Sequence, residues 1–285
     1  MILTALVGSE ILVQHLTDPD WVVFDCRHDL ADPARGHTDY VKAHIPGARF
    51  LHLDEDLSAP KTGTNGRHPL PDPDVLLEKL RRASVDARKQ VIAYDAQGGM
   101  VAARLWWLLR WLGHLPVAVL DGGWNRWISE GRPQSAEIPQ PEPARFSGRP
   151  DSSQVSADFV RSHLGDKSMV LLDARAPDRF RGQNETLDPV GGRIPGARSH
   201  FYRDNLDASG CFKAPETLAQ EFANVLGGSS PKSVVHYCGS GVSACHNLLA
   251  MEYAGLRGAR LYPGSWSEWC ADPSRPMESG EPRGS

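Results

Sequence analysis

Short apolar runs recur along the chain, separated by polar stretches rich in Gly and Pro, and the runs come in matching pairs. Trp21-Val22-Val23-Phe24-Asp25 and Met169-Val170-Leu171-Leu172-Asp173 each end in an aspartate, and Val91-Ile92-Ala93-Tyr94-Asp95 is matched by Val234-Val235-His236-Tyr237-Cys238. Continuous runs of β-branched and aliphatic residues, without polar alternation, read as strands buried on both faces. Between them lie segments of helical period. Val101 to Leu112 places Leu105, Leu108, Leu109 and Leu112 on one face and stops at Gly113, and Ala244 to Tyr253 turns Leu248, Leu249 and Met251 inward. Strands alternating with helices predict an α/β fold with a mainly parallel central sheet flanked by helices.

The pairing extends beyond the strands. His44-Ile45-Pro46-Gly47-Ala48-Arg49 returns as Arg193-Ile194-Pro195-Gly196-Ala197-Arg198, and each half closes on a Trp-x-x-Trp pair, Trp124 with Trp127 and Trp266 with Trp269. A repeat of this length means two copies of one domain. The tryptophans read as core or interface packing. The expected organisation is a first domain over 1–131, a linker over 132–150, a second domain over 151–276 and a flexible tail over 277–285. The linker carries prolines at 133, 139, 141, 143 and 150, which exclude a helix and make it stiff.

Composition narrows the class. A chain of 285 residues can bury a core in each copy, and a net charge of −4 with 40% hydrophobic residues argues against a nucleic-acid or membrane partner. Apolar runs are too short to span a bilayer, and Met1 to Glu10 lacks the features of a signal peptide, so the expected location is the cytoplasm. Five cysteines, at 26, 211, 238, 245 and 270, make no disulfide framework and no Cys-x-x-Cys, and the histidines show no metal-ligand spacing.

The candidate chemistry lies at Cys238. It ends an apolar run and is followed by Gly239-Ser240-Gly241-Val242-Ser243 and a helical pattern, so it stands at the first position of a strand-loop-helix turn. Glycines at 239 and 241 allow the loop to curl its N–H groups inward, and the helix start adds positive charge. Such a cradle favours an anion, here the thiolate, and makes the sulfur nucleophilic. A small buried hydrophobe at a strand end is the alternative reading of the same cysteine. In the first copy Asp95 takes this place, leaving that loop without a nucleophile. Cys245, two turns into the helix, is a minor candidate for a resolving thiol.

On these residues the chain resembles a tandem-domain sulfurtransferase of the rhodanese superfamily, from about Met1 to Pro276. The loop Cys238-Gly239-Ser240-Gly241-Val242-Ser243 is similar to the Cys-Gly-Ser-Gly-Val-Thr loop of the branch that uses 3-mercaptopyruvate, departing at Ser243, whereas the thiosulfate branch usually has Arg and Lys after the cysteine. The resemblance implies a ping-pong transfer. Cys238 takes the outer sulfur of a small-molecule donor as a persulfide and passes it to a thiophilic acceptor such as cyanide, a thiol or a reduced thiol protein, with neither metal nor organic cofactor. Gly239, Gly241, Val242 and Ser243 would cradle the persulfide. It also implies a supporting set of Ser240, His68, in His68-Pro69-Leu70-Pro71, and Asp54.

Arg179 matches the arginine that binds the donor carboxylate, a target suited to a guanidinium fork. The branch's second arginine lies nine residues on, where this chain has Asp188, an acid that resembles the thiosulfate branch; either Arg181 or Arg193 supplies the missing charge, or the carboxylate is held by one fork only, with weaker affinity. Two other readings stand beside the sulfurtransferase. A cysteine-dependent phosphatase would need an arginine six residues after the nucleophile, and position 244 is Ala. A non-catalytic sulfur-carrier or scaffold module would have no use for the intact loop and its matched partners. Between donors, thiosulfate as the main one remains open.

Overall fold

The computed structural model describes residues 2–281. The chain divides into two compact units that do not follow sequence order throughout. Unit 1 comprises Met1–Ala59, Pro71–Asp151 and Asp207–Phe212, and unit 2 comprises Pro60–Leu70, Ser152–Leu206 and Lys213–Ser285. Each unit thus includes a short segment whose neighbours in sequence belong to the other.

Unit 1 holds strands β1 (Leu6–Val7), β2 (Trp21–Asp25), β3 (Arg49–Phe50), β4 (Gln90–Tyr94) and β5 (Val117–Leu120), ordered β1-β5-β4-β2-β3. Every pairing is parallel. All of β4 and β5 is buried, as unbroken apolar runs covered by helices on both faces require. The helix Ala102–Trp111 departs from the expected one-sided stripe, since all its residues but Arg110 are buried. Trp106, Trp107 and Trp111 fill the sides that the leucines leave, and a helix apolar all round belongs inside. Segment 132–150 forms no helix. It runs along unit 1, where Ala144 N–H donates to Arg81 O, Arg149 N–H to Leu112 O, and Phe146 is buried.

Unit 2 holds β6 (Val170–Asp173), β7 (Arg198–Ser199), β8 (Val234–Tyr237) and β9 (Arg260–Leu261), ordered β7-β6-β8-β9 and again parallel in every pair. The chain leaves β6 towards β7 and then returns to the opposite side for β8. The direction of winding reverses between β6 and β8, and at such a reversal the carboxyl ends of parallel strands open a crevice for ligands. Tyr237, Tyr262, Trp266 and Trp269 anchor the core. Of the tail, Glu278 is bridged to Arg193 through backbone hydrogen bonds, while residues 282–285 lie outside the described residues.

The two units share a further device. Asp25 and Asp173, at the ends of β2 and β6, are fully buried and hydrogen-bonded by Arg27 and Arg175 two residues on. Those guanidiniums lie over Trp124 and Trp266 at 4.4 and 5.0 Å. The strand-end aspartates are therefore internal struts, each charge matched where leaving one unpaired would cost several kcal/mol.

Candidate functional site

Cys238 follows β8 directly, and its loop ends at the helix Ser243–Tyr253, with Val242 as N-cap. Gly241 N–H donates to Cys238 Sγ at 3.1 Å. Gly241 has φ +78°, and a methyl group there would run into the Pro263 carbonyl, so the turn needs glycine for both backbone and space. Gly239 has a different reason. A methyl group built on it would lie 2.6 Å from Arg67 Nη2 and 3.6 Å from both terminal nitrogens of Arg179. Two guanidiniums occupy the space that a side chain at 239 would claim.

The loop backbone is held from outside by Ser265. Its hydroxyl accepts from Cys238 N–H at 3.1 Å and donates to Tyr262 O at 3.0 Å, while Trp266 N–H donates to Cys238 O at 2.9 Å. Ser265 has φ +56°, a conformation that costs a non-glycine residue about 1 kcal/mol or more. The equivalent residue in unit 1 is Gly123 at φ +54°. The serine accepts that strain and in return fixes the backbone of Cys238, a role the sequence reading missed. The mismatch Gly122-Gly123-Trp124 against Gly264-Ser265-Trp266 was its visible signal.

His68 and Ser240 come together: His68 Nδ1 lies 2.7 Å from Ser240 Oγ, and both side chains are buried. Cys245 sits under the same loop, its thiol directed at Gly241 O at 3.3 Å, and so supports the turn. Cys238, Ser240, His68, Arg179 and the loop glycines are thus all brought together in unit 2. Asp54 belongs to unit 1, where its carboxylate is 3.9 Å from His28 Nε2. His28, His52 and Asp54 offer one donor atom each within 4.8 Å of one another. His52 is committed, however: Nδ1 accepts from Asp54 and Glu55 N–H, and Nε2 donates to Pro33 O at 3.0 Å. The trio is a hydrogen-bonded cluster, not an open ligand set.

Asp188, the acid at the expected arginine position, accepts two hydrogen bonds from Arg67, Nε to Oδ1 at 2.9 Å and Nη2 to Oδ2 at 3.2 Å. Its Oδ2 also accepts from Arg179 Nη2 at 3.3 Å, and Arg179 forks onto Glu185 through Nε and Nη2. Glu185 lies 3.7 Å from Arg175 Nη1. Signs alternate from Arg67 through Asp188, Arg179, Glu185 and Arg175 to Asp173. Burial alone would raise the Glu185 carboxyl, but hydrogen bonds from Arg179 and from Leu187 and Asp188 N–H hold it below the ordinary carboxylate range.

The expected substitutes for a second arginine are engaged elsewhere. Arg181 pairs with Glu281 at 3.4 Å, and Arg193 lies over the Phe180 ring and donates to Gly280 O. Arg67, bound to Asp188, is the second guanidinium beside Gly239. The loop does lack a cation in sequence, but the fold supplies two beside it.

Unit 1 shows what this kind of loop holds. Asp95, fully buried, accepts N–H bonds from Gln97, Gly99, Val101 and Ala102 at 2.7 to 2.9 Å. Burial pushes its carboxyl up and the four N–H groups oppose that shift. This loop reaches its helix two residues later than the Cys238 loop does, so the chemistry corresponds while the register does not.

A model of the rhodanese-like domain matches residues 9–130 and again 156–272. The chain is 46% identical over 279 residues to the probable 3-mercaptopyruvate sulfurtransferase of Pseudomonas aeruginosa, covering 97% of this chain and 98% of that one. It is 31% identical over 277 residues to a thiosulfate sulfurtransferase of Cricetulus griseus, covering 93% and 91%. Its structure is similar to that of a 3-mercaptopyruvate sulfurtransferase from Leishmania major, with TM-score 0.84 and 27% identity, covering 93% of this chain and 74% of that one.

Proposed function

Because the chain belongs to the rhodanese-like family, as a tandem-domain sulfurtransferase, we propose that Cys238 carries the sulfur and that 3-mercaptopyruvate is the preferred donor. The observation that supports this best is the Cys238 sulfur under the Gly241 N–H, in a loop whose counterpart holds a carboxylate with four N–H groups. A thiol is one bond shorter than that carboxylate, so one further atom can be added within a cradle of this kind. A persulfide's outer sulfur is such an atom.

In this reading the Cys238 thiolate attacks the donor sulfur, the carbon–sulfur bond breaks, and its electron pair stays on the departing carbon. The donor's thiol proton, passed through Ser240 and His68, ends on that carbon and gives pyruvate. The persulfide anion then yields its outer sulfur to cyanide or a thiol and restores the thiolate. A reduced thiol protein of the cytoplasm is the acceptor class proposed. Asp54 completes the proposed supporting set.

Thiosulfate is a second donor, to which Arg67 and Arg179 beside Gly239 offer N–H groups, although Asp188 and Glu185 balance their charge. Two measurements test the reading. Incubation with donor alone is expected to add about 32 Da, one sulfur, and Cys238→Ser to abolish both that mass and turnover. Rates with both donors side by side are expected to give the higher kcat/KM for mercaptopyruvate; full labelling of the serine variant, or a higher value for thiosulfate, refutes the corresponding half.

A further inference from the structure

We propose that Arg67 is a specificity-determining residue of the donor site, binding the donor carboxylate together with Arg179, and that Asp188 is its tether. The proposal rests on the donor reading above and adds a residue and a division of labour to it.

Three observations carry it. Arg67 Nη2 and both terminal nitrogens of Arg179 converge on the open side of Gly239, the residue next to Cys238. Each guanidinium is gripped on one edge, Arg67 by Asp188 through Nε and Nη2 and Arg179 by Glu185 through the same pair of atoms. That leaves Nη1 of each without a hydrogen bond among the described residues. Arg67 is further fixed at its backbone, where its N–H donates to Ser267 Oγ at 3.0 Å and Ser267 N–H donates to Gly239 O at 2.9 Å. The same serine therefore ties the Arg67 backbone to the loop that carries the thiol.

Such gripping changes what the cations select. Two acids balance the two arginines, so the site offers oriented N–H donors with little net charge. A planar carboxylate gains from orientation, whereas a compact dianion gains mainly from net positive charge. Glycine at 239 is required because the cation comes from a distant part of the chain in place of a side chain at the loop position itself.

The test compares Arg67→Lys and Asp188→Asn with the full-length wild type, using mercaptopyruvate as donor and pyruvate as inhibitor. Arg67→Lys keeps the charge and loses the fork; KM and the pyruvate inhibition constant are expected to rise about tenfold, with kcat falling much less. Asp188→Asn removes a negative charge, so attraction by charge alone would tighten anion binding. The tether requires the opposite, a rise of about threefold or more in both constants. An unchanged or lower KM in both variants overturns the proposal. At saturating donor each variant is expected to take up one sulfur by mass, which shows that it is folded; absence of that sulfur from the wild type would overturn the donor reading itself.

Discussion

His68 Nδ1 and Ser240 Oγ lie 2.7 Å apart although 172 positions separate them in the chain. In the proposed reaction the pair has a purpose with one donor and none with the other. Loss of pyruvate from mercaptopyruvate requires a proton on carbon, whereas sulfite leaves thiosulfate without one. His68→Gln is therefore expected to lower kcat with mercaptopyruvate by about 10²-fold or more, the usual scale of acid–base assistance, and to affect thiosulfate far less. Equal losses with both donors would make His68 a structural support of the loop.

Arg179 is held by Glu185 and Asp188, so its charge and its orientation can be tested apart. Arg179→Lys keeps the charge but cannot make the fork, and about 1.5–3 kcal/mol of charged hydrogen bonding is at stake. KM for mercaptopyruvate is expected to rise at least tenfold, read from initial rates. An unchanged KM would place the carboxylate elsewhere.

Gly241 tests the cradle. With φ +78° and the Pro263 carbonyl in the way, Gly241→Ala has to move the loop and withdraw the N–H that meets Cys238 Sγ. The rate of persulfide formation, followed by mass after mixing with donor, is expected to fall by more than tenfold. Gly255→Ala, another positive-φ glycine with open space around it, serves as the control for backbone strain alone.

The second unit is expected to lose stability in acid through His236. This side chain is fully buried in β8, and burial lowers its pKa to about 3, with nearby His200 adding to the shift. The folded chain keeps it neutral while the unfolded chain protonates it near 6.5. Its contribution is thus fully present above pH 6.5 and is lost as pH falls towards 3, by about 2 kcal/mol at pH 5. Urea unfolding at pH 7 and 5 reads the difference, and His236→Leu is expected to flatten it; an equally steep slope in that variant would assign it to other groups.

The strand runs, the duplication and the Cys238 loop were legible because each is local: a five-residue apolar run or a Gly-x-Gly after a cysteine carries its geometry with it. Ser240 and His68 were legible through their motifs. Arg67 was not, since its position beside Gly239 arises from the grouping of residues 60–70 with unit 2, which no local pattern records. Asp188 looked like a loss for the same reason: an acid at an arginine's place has meaning only when its partner is known. Arg181 and Arg193 are near in sequence, but the stretch from 278 to 281 engages both, which only the fold shows.

Segment 60–70 has a consequence for how such a protein can be divided. It brings both Arg67 and His68 into unit 2, while Asp207–Phe212 goes the other way into unit 1. Duplicated modules are ordinarily separable. Here the second half, cut free at the linker, would carry its thiol and glycines but lack a guanidinium and an imidazole. Cutting at the linker therefore removes from the second half two side chains that the fold groups with its thiol.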